Sequence, residues 1–454
     1  MQAADLKNLV DTIVIVMLEN RSFDHILGYL RHASFGNRRD VDGLVSSTEP
    51  TYANFYQGEP YFPFNMKPDK PLVSDLPHER SFVHQQLDYS NTTGDYTMRG
   101  FVNAYYNFTN VNRSFTPDPM GFFAPPQIPI TDFLAQNYMI CDRWFAPLPA
   151  STQPNRLVAL SGYSQIDVTR SDLLPDQTLV FDWLSRHDVR WRVYHSGISF
   201  LLLFQSMWAN AVSDRFRRFN ALAADFQNEP DATFPQVIFI EPAYHDSPVH
   251  LTGHPNDNHP PLPVGVGEEF LRQTYQAVTS NYARWKKTFT VVTYDEHGGF
   301  FDHVPPLPIP AADPNNVYPP FDSTGVRVPS IIVSPLVETR SVYHGNLDHT
   351  SILQFLAERF APNETYSNYV EQRRGGDPAI QSVSTTLNRS APRTSLPRVT
   401  GDPIPVSTAL SGVKESVTDN QRAFVAAIEG LLNGVYKDAA IQKFPEISHW
   451  DGVP

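Results

Sequence analysis

Cysteine, long apolar runs and basic residues are all scarce in this chain of 454 residues. The single cysteine, Cys141, has no second cysteine with which to form an internal disulfide, so bridges do not hold the fold together. No apolar run approaches the roughly 20 residues that span a bilayer, so we predict no transmembrane segment. The short run 12–18 leads directly into a polar motif, and we interpret it as a strand rather than as a signal peptide.

The charge balance is acidic, with a formal net charge of −13. A protein that binds nucleic acid by displacing counterions needs a basic face, so we expect no nucleic-acid partner. The balance leaves room for a local basic pocket that binds a phosphate group.

The hydrophobic pattern predicts a sheet with helices packed on it. Continuous apolar runs, typical of buried parallel strands, occur at 12–18, 189–195, 236–241, 289–294 and 330–334. Helical patterns occur at 129–137, 179–187, 264–282 and 350–359. Because strands alternate with helices, we predict an α/β fold with a doubly wound, mostly parallel sheet and helices on both faces.

We divide the chain into a main domain, residues 1–370, which carries all the motifs described below, and a surface segment, residues 371–454. Within the first, residues 49–125 have little periodicity and many Pro, Asn and aromatic residues, so we interpret them as a loop-rich cap or rim. The second is an irregular wrap followed by a C-terminal helix packed on the core. Thr418 and Gln421 have the spacing of a capping box at the start of that helix.

Two acid-rich pairs follow predicted strands. Asp295 and Glu296 come directly after the run 289–294, and Glu19 and Asn20 come directly after the run 12–18. Adjacent acids repel each other unless a proton or cation lies between them, and ligands of α/β sheets bind beyond the carboxyl ends of the strands. Hard oxygen donors suit Ca²⁺, Mg²⁺ or Mn²⁺. An ordinary loop or capping role fits any one of these residues as well; the two pairs together favour one metal site.

A loop rich in proline and small residues presents Ser151 and Thr152 just before PNRLVALSG, which we predict to be a helix beginning at Pro154. The N-terminus of a helix attracts anions, and a metal there would lower the pKa of a hydroxyl and make it nucleophilic. A Ser or Thr before a helix is usually only an N-cap, and spacing alone favours that role.

Four histidines lie in polar, proline-framed loops: His78, His259, His303 and His349. Such side chains can donate hydrogen bonds to phosphate oxygens or act as a general acid near neutral pH. Each one taken alone is more often structural, and His349 fits the role of an orienting partner near the start of its helix.

Six motifs in order resemble a known family. They are ENRSFDHILGYL, SDLPH, STQPNR, NDNHPP, YDEHGGFFDHVPP and DHTSIL. Together they are similar to the bacterial and plant phosphoesterases that include the non-specific, non-haemolytic phospholipases C and related acid phosphatases. The resemblance runs from about residue 11 to residue 360. It implies an alkaline-phosphatase-like α/β fold and hydrolysis of phosphate esters.

The resemblance also assigns roles to residues. It implies one divalent metal ion (Ca²⁺, Mg²⁺, Mn²⁺ or Zn²⁺) bound by Glu19, Asn20, Asp295, Glu296 and Thr152. It implies that Thr152 is the nucleophile, attacks phosphorus in line with the leaving alcohol and forms a phospho-threonine intermediate. The metal, the helix N-terminus and histidines would then stabilise the developing charge.

Other motif positions are expected to contact the substrate. His78 and His259 match histidines that face the bound phosphate, and a proton for the leaving group is available from His259, His303 or His78. Asn155 and Arg156 belong to the nucleophile motif. The chain departs from many relatives at Asn258, where they have histidine. Neighbours that can replace that histidine are Asp257, His254, His250 and His245.

Three functions remain open. The first is a phospholipase C that cleaves glycerophospholipids such as phosphatidylcholine, with peripheral membrane contact through cap aromatics. Those aromatics are Tyr52, Phe55, Tyr56, Tyr61, Phe62, Tyr105 and Tyr106. The second is an acid phosphatase for soluble phosphomonoesters, and the third is a catalytically inactive, metal-stabilised binding protein. Relatives are often exported, so we expect a secreted or periplasmic location, with the cytoplasm as the alternative.

Overall fold

An eight-stranded sheet forms the centre of the computed structural model, which describes residues 3–67, 75–108, 117–249, 254–312, 317–400 and 417–450. Its strands are β1 Thr12–Leu18, β2 Met139–Cys141, β3 Trp191–His195, β4 Phe216–Arg218, β5 Val237–Glu241, β6 Thr288–Tyr294, β7 Ser330–Val333 and β8 Ser341–Tyr343. Their order across the sheet is β4-β3-β5-β1-β6-β7-β2-β8. Neighbouring strands are parallel except that β7 is antiparallel to both β6 and β2.

Helices cover the sheet. They are α1 Ala3–Leu9, α2 Phe23–Ile26, α3 Arg80–Leu87, α4 Phe101–Asn107, α5 Pro129–Asn137, α6 Thr152–Ser161, α7 Val180–Arg186, α8 Trp208–Ala211, α9 Leu222–Asn228, α10 Gly265–Val278, α11 Tyr282–Trp285, α12 Thr350–Phe360, α13 Asn368–Arg374, α14 Asp419–Asn433 and α15 Lys437–Lys443. Short 3₁₀ helices lie at Gly28–Leu30, Pro50–Tyr52, Asp118–Met120, Phe200–Leu203, Gln205–Met207, Phe219–Ala221, Val383–Thr386 and Pro445–His449. Among the described residues no helix has the length and apolar character needed to cross a bilayer.

The predicted α/β class with a mostly parallel sheet is confirmed, and all five predicted strands lie within two residues of observed ones. The prediction that the run 330–334 is a parallel strand is wrong, since β7 runs antiparallel. The cause is that β7 is buried along its whole length, so it shows the continuous apolar run of a parallel strand. Strands β2, β4 and β8 were not predicted, because three residues are too few to show a period.

The cap segment, as far as it is described, has little regular structure. It contains α3, α4 and three small two-stranded sheets. Those sheets pair Asn54–Tyr56 with Glu59–Tyr61, Phe64–Asn65 with Gly121–Phe122, and Tyr89–Ser90 with Asp95–Tyr96. A fourth pair, Pro308–Ala312 with Phe321–Ser323, lies outside the cap. Buried cap residues such as Phe101 belong to the same apolar core as the sheet.

The C-terminal helix α14 begins with the predicted capping box. Thr418 Oγ1 accepts the N–H of Gln421 at 3.0 Å, and the N–H of Thr418 donates to Gln421 Oε1 at 3.1 Å. Phe424 of this helix is fully buried in the main core and lies 6.0 Å, between ring centroids, from Tyr244. Residues 401–416 and 451–454 of the predicted wrap lie outside the described residues.

Candidate active site

The carboxyl ends of β1 and β6 bring the two acid-rich pairs together. Leu18 is paired with Tyr294 in the sheet, so the residues that follow them, Glu19 and Asp295, leave the sheet side by side. The N–H of Asn20 donates to Asp295 Oδ1 at 3.1 Å. Asn20 has a left-handed backbone, φ 61°, a conformation that asparagine tolerates better than most residues. The sheet register therefore joins parts of the chain that are 275 residues apart.

The loop after β6 packs closely on Asn20. Gly298 has a φ of 61°, and a Cβ there would lie 2.1 Å from the carbonyl oxygen of Asn20. Only glycine fits such a position without displacing the backbone. The glycine of the YDEHGG motif thus lets the two acid-rich turns approach each other.

The carboxylates of Glu19, Asp295 and Glu296 are almost completely buried. Arg156 forms ion pairs with Glu19 Oε1 at 3.2 Å and with Asp295 Oδ2 at 3.1 Å. Neither oxygen of Glu19, nor Oε1 of Glu296, accepts a hydrogen bond from a described residue. Burial, opposed by Arg156 and reinforced by Asp295, raises the pKa of Glu19 well above its ordinary value. Glu296 Oε2 lies 3.1 Å from His297 Nδ1, but the oxygens of Glu19 and Glu296 that accept no hydrogen bond fit a cation.

Thr152 reaches this group from another part of the fold. Its Oγ1 donates a hydrogen bond to Asn20 Oδ1 at 3.2 Å, and the side chain is buried. Thr152 is the first residue of α6, so the prediction that the helix begins at Pro154 is wrong. Ser151 is extended and takes the N-cap position, while Pro154, which lacks an N–H, fits in the first turn where no partner is needed. The hydroxyl therefore lies at the partly positive end of α6.

Asn155 holds the loop that precedes the nucleophile position. Its Oδ1 accepts the N–H of Leu148 at 2.9 Å, and its Nδ2 donates to the carbonyl oxygens of Ala150 at 2.7 Å and Ser151 at 3.0 Å. The described contacts of Asn155 are thus with backbone. Arg156, besides its two ion pairs, donates to the hydroxyl of Tyr244 at 3.1 Å. Substrate contact by Asn155 and Arg156 stays a prediction, and the observed contacts are those of positioning residues.

His78 and His259 meet at the amide of Asn20. Asn20 Nδ2 lies 3.0 Å from His259 Nε2 and 3.4 Å from His78 Nε2. The Nδ1 of His259 faces the carbonyl oxygen of Pro260 at 2.5 Å, and so carries the proton. The Nε2 of His259 is then the acceptor for Asn20, which also fixes Oδ1 of that amide toward Thr152.

The two histidines have opposite pKa shifts. Burial lowers the pKa of His259 well below its ordinary value, and the nearby His245 and His78 add to the effect. Burial also lowers the pKa of His78, but Asp75, Glu296 and Glu79 outweigh it and raise that pKa to about 10. Such divergent environments are typical of catalytic acids and bases.

His303 lies in a separate cluster. Its Nδ1 is 2.6 Å from Asp24 Oδ2 and its Nε2 is 3.2 Å from Asp42 Oδ1. Among its described contacts, none is with Thr152 or Asn20. Asp24, Asp302 and His303 are close enough together to suggest a metal site, but Arg327 lies among them, with Nε 2.9 Å from Asp302 Oδ1 and Nη2 3.3 Å from Asp24 Oδ1. The guanidinium of Arg327 thus supplies, among these carboxylates, the positive charge that a metal ion would bring.

Asn258 is turned away from the nucleophile. Its Nδ2 donates to the hydroxyl of Tyr294 at 2.7 Å, and its carbonyl oxygen accepts from Arg21 Nε at 2.8 Å. His245 instead stacks on His259, with 5.2 Å between ring centroids and 24° between planes. Of the predicted replacements for a family histidine, His245 therefore lies beside the site, while His250 falls outside the described residues.

Several residues near the site were not predicted. Gln153, next to Thr152, donates through Nε2 to Asn420 Oδ1 of α14 at 3.0 Å, and Asn420 Nδ2 donates to Asp246 Oδ2 at 2.7 Å. Nothing in the sequence marks Asn420 beyond its place in the first turn of a helix. The Nδ1 of His349 accepts from Trp144, so its Nε2 donates to the carbonyl oxygen of Asp295 at 2.7 Å, and these contacts fit the predicted orienting role.

A cavity of about 160 Å³ opens at Thr152. It is lined by Asp75, Leu76, Pro77, His78, Glu79, Phe82, Phe108, Thr152, Thr169, Asp246, His259, Thr418, Asp419 and Asn420. The oxygen donors lie at the carboxyl ends of parallel strands, where α/β sheets bind their ligands, and beside them is a hydroxyl of a type that can be activated as a nucleophile.

The comparison with known families agrees with this arrangement of the site. The model of the Phosphoesterase family matches residues 10–361. The chain belongs to the Phosphoesterase family, and it is a phosphoric ester hydrolase.

Relatives named as phospholipases match most of the chain. Non-specific phospholipase C1 of Arabidopsis thaliana is 30% identical over 397 residues, which cover 80% of this chain and 71% of that protein. Non-specific phospholipase C3 of the same plant is 28% identical and covers 94% of this chain and 84% of its own length. Phospholipase C B of Mycobacterium tuberculosis is 27% identical, covering 84% and 78%. Among solved structures, the phosphonate monoester hydrolase SpPMH from Silicibacter pomeroyi aligns with a TM-score of 0.30 at 12% identity, over 59% of this chain and 73% of that one.

Proposed function

We propose that this protein is a metal-dependent phosphoester hydrolase with Thr152 as nucleophile, and that it acts as a phospholipase C on glycerophospholipids such as phosphatidylcholine. One observation carries the proposal: the Thr152 hydroxyl donates a hydrogen bond to Asn20 Oδ1, 3.2 Å away. Beside this pair lie buried carboxylate oxygens that have no hydrogen-bond partner among the described residues.

The donor set supports one divalent cation. Glu19, Asn20, Asp295 and Glu296, with Thr152, would hold it, because carboxylate, amide and hydroxyl oxygens suit a hard ion. Bound there, the ion would supply Lewis-acid charge stabilisation and lower the pKa of a coordinated hydroxyl. The oxygens of Glu19 and Glu296 that accept no hydrogen bond from a described residue are the feature that the ion accounts for.

The protein groups have distinct tasks in this proposal. Thr152 Oγ1 attacks phosphorus, and Asn155 keeps the preceding loop in place through its three backbone hydrogen bonds. Arg156 holds the Glu19 and Asp295 carboxylates in position. His78, whose Nε2 lies 3.4 Å from Asn20 Nδ2, suits charge stabilisation on phosphate oxygens or proton donation to the leaving alcohol.

The phospholipase C reading is supported by the names of the relatives and by an aromatic pair at the cavity. Phe82 and Phe108 line it, with 5.5 Å between ring centroids, and offer an apolar contact for the alcohol part of a lipid. Aromatic faces also attract cationic headgroups.

The alternative, an acid phosphatase for soluble phosphomonoesters, is supported by the packing of the cap. Tyr105 is fully buried, Tyr52 nearly so, and Tyr56 and Tyr106 lie 4.6 Å apart between ring centroids. Of the cap aromatics named above, only Phe55 is an exposed large apolar side chain. Peripheral membrane contact and a secreted or periplasmic location stay predictions.

An activity panel tests the proposal. The full chain is assayed with p-nitrophenyl phosphate, p-nitrophenylphosphorylcholine and phosphatidylcholine vesicles, each with and without a metal chelator. We expect chelator-sensitive release of diacylglycerol from the vesicles. Turnover of the monoester alone would favour the phosphatase, and no turnover of any substrate in the metal-loaded protein would favour the inactive binding protein.

A further inference from the structure

A second cavity lies at the opposite end of the sheet from Thr152. It measures about 350 Å³, within the size range of small-molecule sites. Its lining includes six charged residues: Asp11, Arg190, Asp231, Arg284, Lys287 and Arg359. Thr12 begins β1 and Glu19 follows its end, and a seven-residue strand spans roughly 20 Å. This basic cavity is therefore separate from the candidate active site.

Two of the basic side chains that line the basic cavity are buried, and two, Arg190 and Lys287, are exposed at its mouth. Four basic and two acidic residues line it, a surplus of two positive charges in a chain whose net charge is −13. The side chains of Arg284 and Arg359 are 8% and 9% exposed, whereas those of Asp231 and Asp11 are 94% and 56% exposed. The acids are thus solvated at the rim, where water weakens their hold on the cations.

Three of the four basic groups keep donors available. Arg359 uses Nε for the carbonyl oxygen of Val10, and its Nη atoms make no hydrogen bond with any residue that the structure describes. Arg190 uses Nε and Nη2 for backbone oxygens and leaves Nη1. Within the described ranges, the Nζ of Lys287 has one polar partner, Asp11 Oδ2 at 3.2 Å. Arg284, by contrast, is occupied by four oxygens and acts as fixed charge.

We propose that the basic cavity is a second, non-catalytic binding site for a phosphate-bearing anion. Guanidinium groups present paired N–H donors that match phosphate oxygens, and an ammonium group adds a point charge. Thr12 and Asn281 supply polar neighbours. The ligand is either a soluble phosphate compound or the headgroup of an anionic lipid, which share this chemistry.

Hydrogen exchange of the full-length protein tests the site, because it reports on each cavity separately. Inorganic phosphate, compared with chloride at equal ionic strength, is expected to slow exchange in segments 231–236 and 281–287, in addition to any effect at 150–156. In Lys287→Gln, half-maximal protection of the first two segments should need about fivefold more phosphate. The 150–156 response should not change.

Lys286→Gln is the matched control, since Lys286 is the adjacent residue and an exposed lysine but does not line the cavity. It should respond to phosphate as the wild type does. A second arm replaces phosphate with phosphatidylglycerol vesicles in the Thr152→Ala background. If the vesicles slow exchange in the two segments and inorganic phosphate does not, the ligand is a lipid headgroup. If inorganic phosphate slows exchange there, the ligand is a soluble phosphate compound. If neither probe protects 231–236 and 281–287, or if Lys287→Gln and Lys286→Gln behave alike, the proposal is wrong.

Discussion

Thr152 and Asn20 are joined by a hydrogen bond of 3.2 Å across 132 residues of sequence. The bond sets the orientation of the Asn20 amide, because Oδ1 accepts from Thr152 while Nδ2 faces His259 at 3.0 Å. A reversed amide would place Oδ1 against the unprotonated Nε2 of His259, two acceptors with no hydrogen between them, although the Thr152 hydroxyl can accept an N–H. The hydroxyl of Thr152, the candidate nucleophile, therefore lies next to Asn20 Oδ1, an amide oxygen that suits metal binding.

The first prediction concerns this hydroxyl. We expect Thr152→Ala to lower kcat for phosphoester hydrolysis at least about a thousandfold, because the attacking atom is removed. Stability should fall by only about 1 kcal/mol, the net value of one hydrogen bond. Thr152→Ser, which restores the hydroxyl, should recover much of the rate. Steady-state kinetics and urea unfolding measure both effects.

Ser151→Ala is the control for that experiment. Ser151 is the adjacent buried hydroxyl, but it donates to Glu79 Oε2 at 3.0 Å rather than meeting Asn20. Its loss should leave kcat within about tenfold of the wild type, since only a supporting hydrogen bond is removed. Wild-type turnover in Thr152→Ala would remove Thr152 from the mechanism.

The second prediction concerns metal binding. Glu19→Gln should lower the metal content of purified protein below one ion per chain, because a charged ligand is replaced by a weaker amide. Glu268→Gln is the control: Glu268 is equally buried, but its carboxylate accepts hydrogen bonds from the N–H groups of Ile130 and Thr131 and has no unpaired oxygen. Elemental analysis after gel filtration measures the content. A full ion in Glu19→Gln would exclude Glu19 as a ligand.

The third prediction separates positioning from substrate binding at Asn155. Because its described contacts are with the backbone of the loop before Thr152, Asn155→Ala should lower kcat and leave KM nearly unchanged. Unpaired backbone groups should also reduce the free energy of unfolding by about 3 kcal/mol. A raised KM with an unchanged kcat would instead support the substrate contact that the family resemblance implies.

The acid pairs were predictable because their signals are local. Each consists of an apolar run that ends in oxygen-bearing side chains, and parallel strands bring such ends to one edge of the sheet. The pairing of Leu18 with Tyr294 then places Glu19 beside Asp295. The start of α14 was likewise predictable, because a capping box is contained in four residues.

Side-chain partners far away in sequence were not predictable. His303 is one of three candidate proton donors for the leaving group, and in the fold it pairs with Asp24, 279 residues away, in a cluster that also holds Arg327. Asn258 was expected at the substrate, yet it bonds the hydroxyl of Tyr294. Which distant side chains form hydrogen bonds with each other depends on the three-dimensional fold. No local sequence pattern indicates these pairs.

The fourth prediction concerns His245, which stacks on His259. His245→Ala should lower kcat about tenfold, because His259 loses the ring that holds it against Asn20. His245→Phe keeps an aromatic ring and should retain most of the activity. The comparison of kcat for the two variants is decisive. Equal losses in both would mean that the imidazole of His245 acts chemically rather than by packing.

The last prediction rests on the cluster around His303. Burial lowers the pKa of His303, but the carboxylates of Asp24 and Asp42 outweigh burial and raise it to about 9. In an unfolded chain a histidine has a pKa of about 6.5. The folded protein therefore holds this proton more tightly, and the resulting stabilisation is complete below pH 6.5 and is lost as the pH rises through 9.

The size of this stabilisation is roughly 3 kcal/mol, from the difference between the two pKa values. Urea unfolding at pH 6 and at pH 9.5 should therefore show a larger drop in the free energy of unfolding for the wild type than for His303→Gln, whose side chain does not titrate. Taking the difference between the two proteins removes the contribution of titrating groups that do not interact with His303. Parallel pH dependence in both proteins would show that His303 is not held protonated by Asp24, and its place in the ion-pair cluster would need revision.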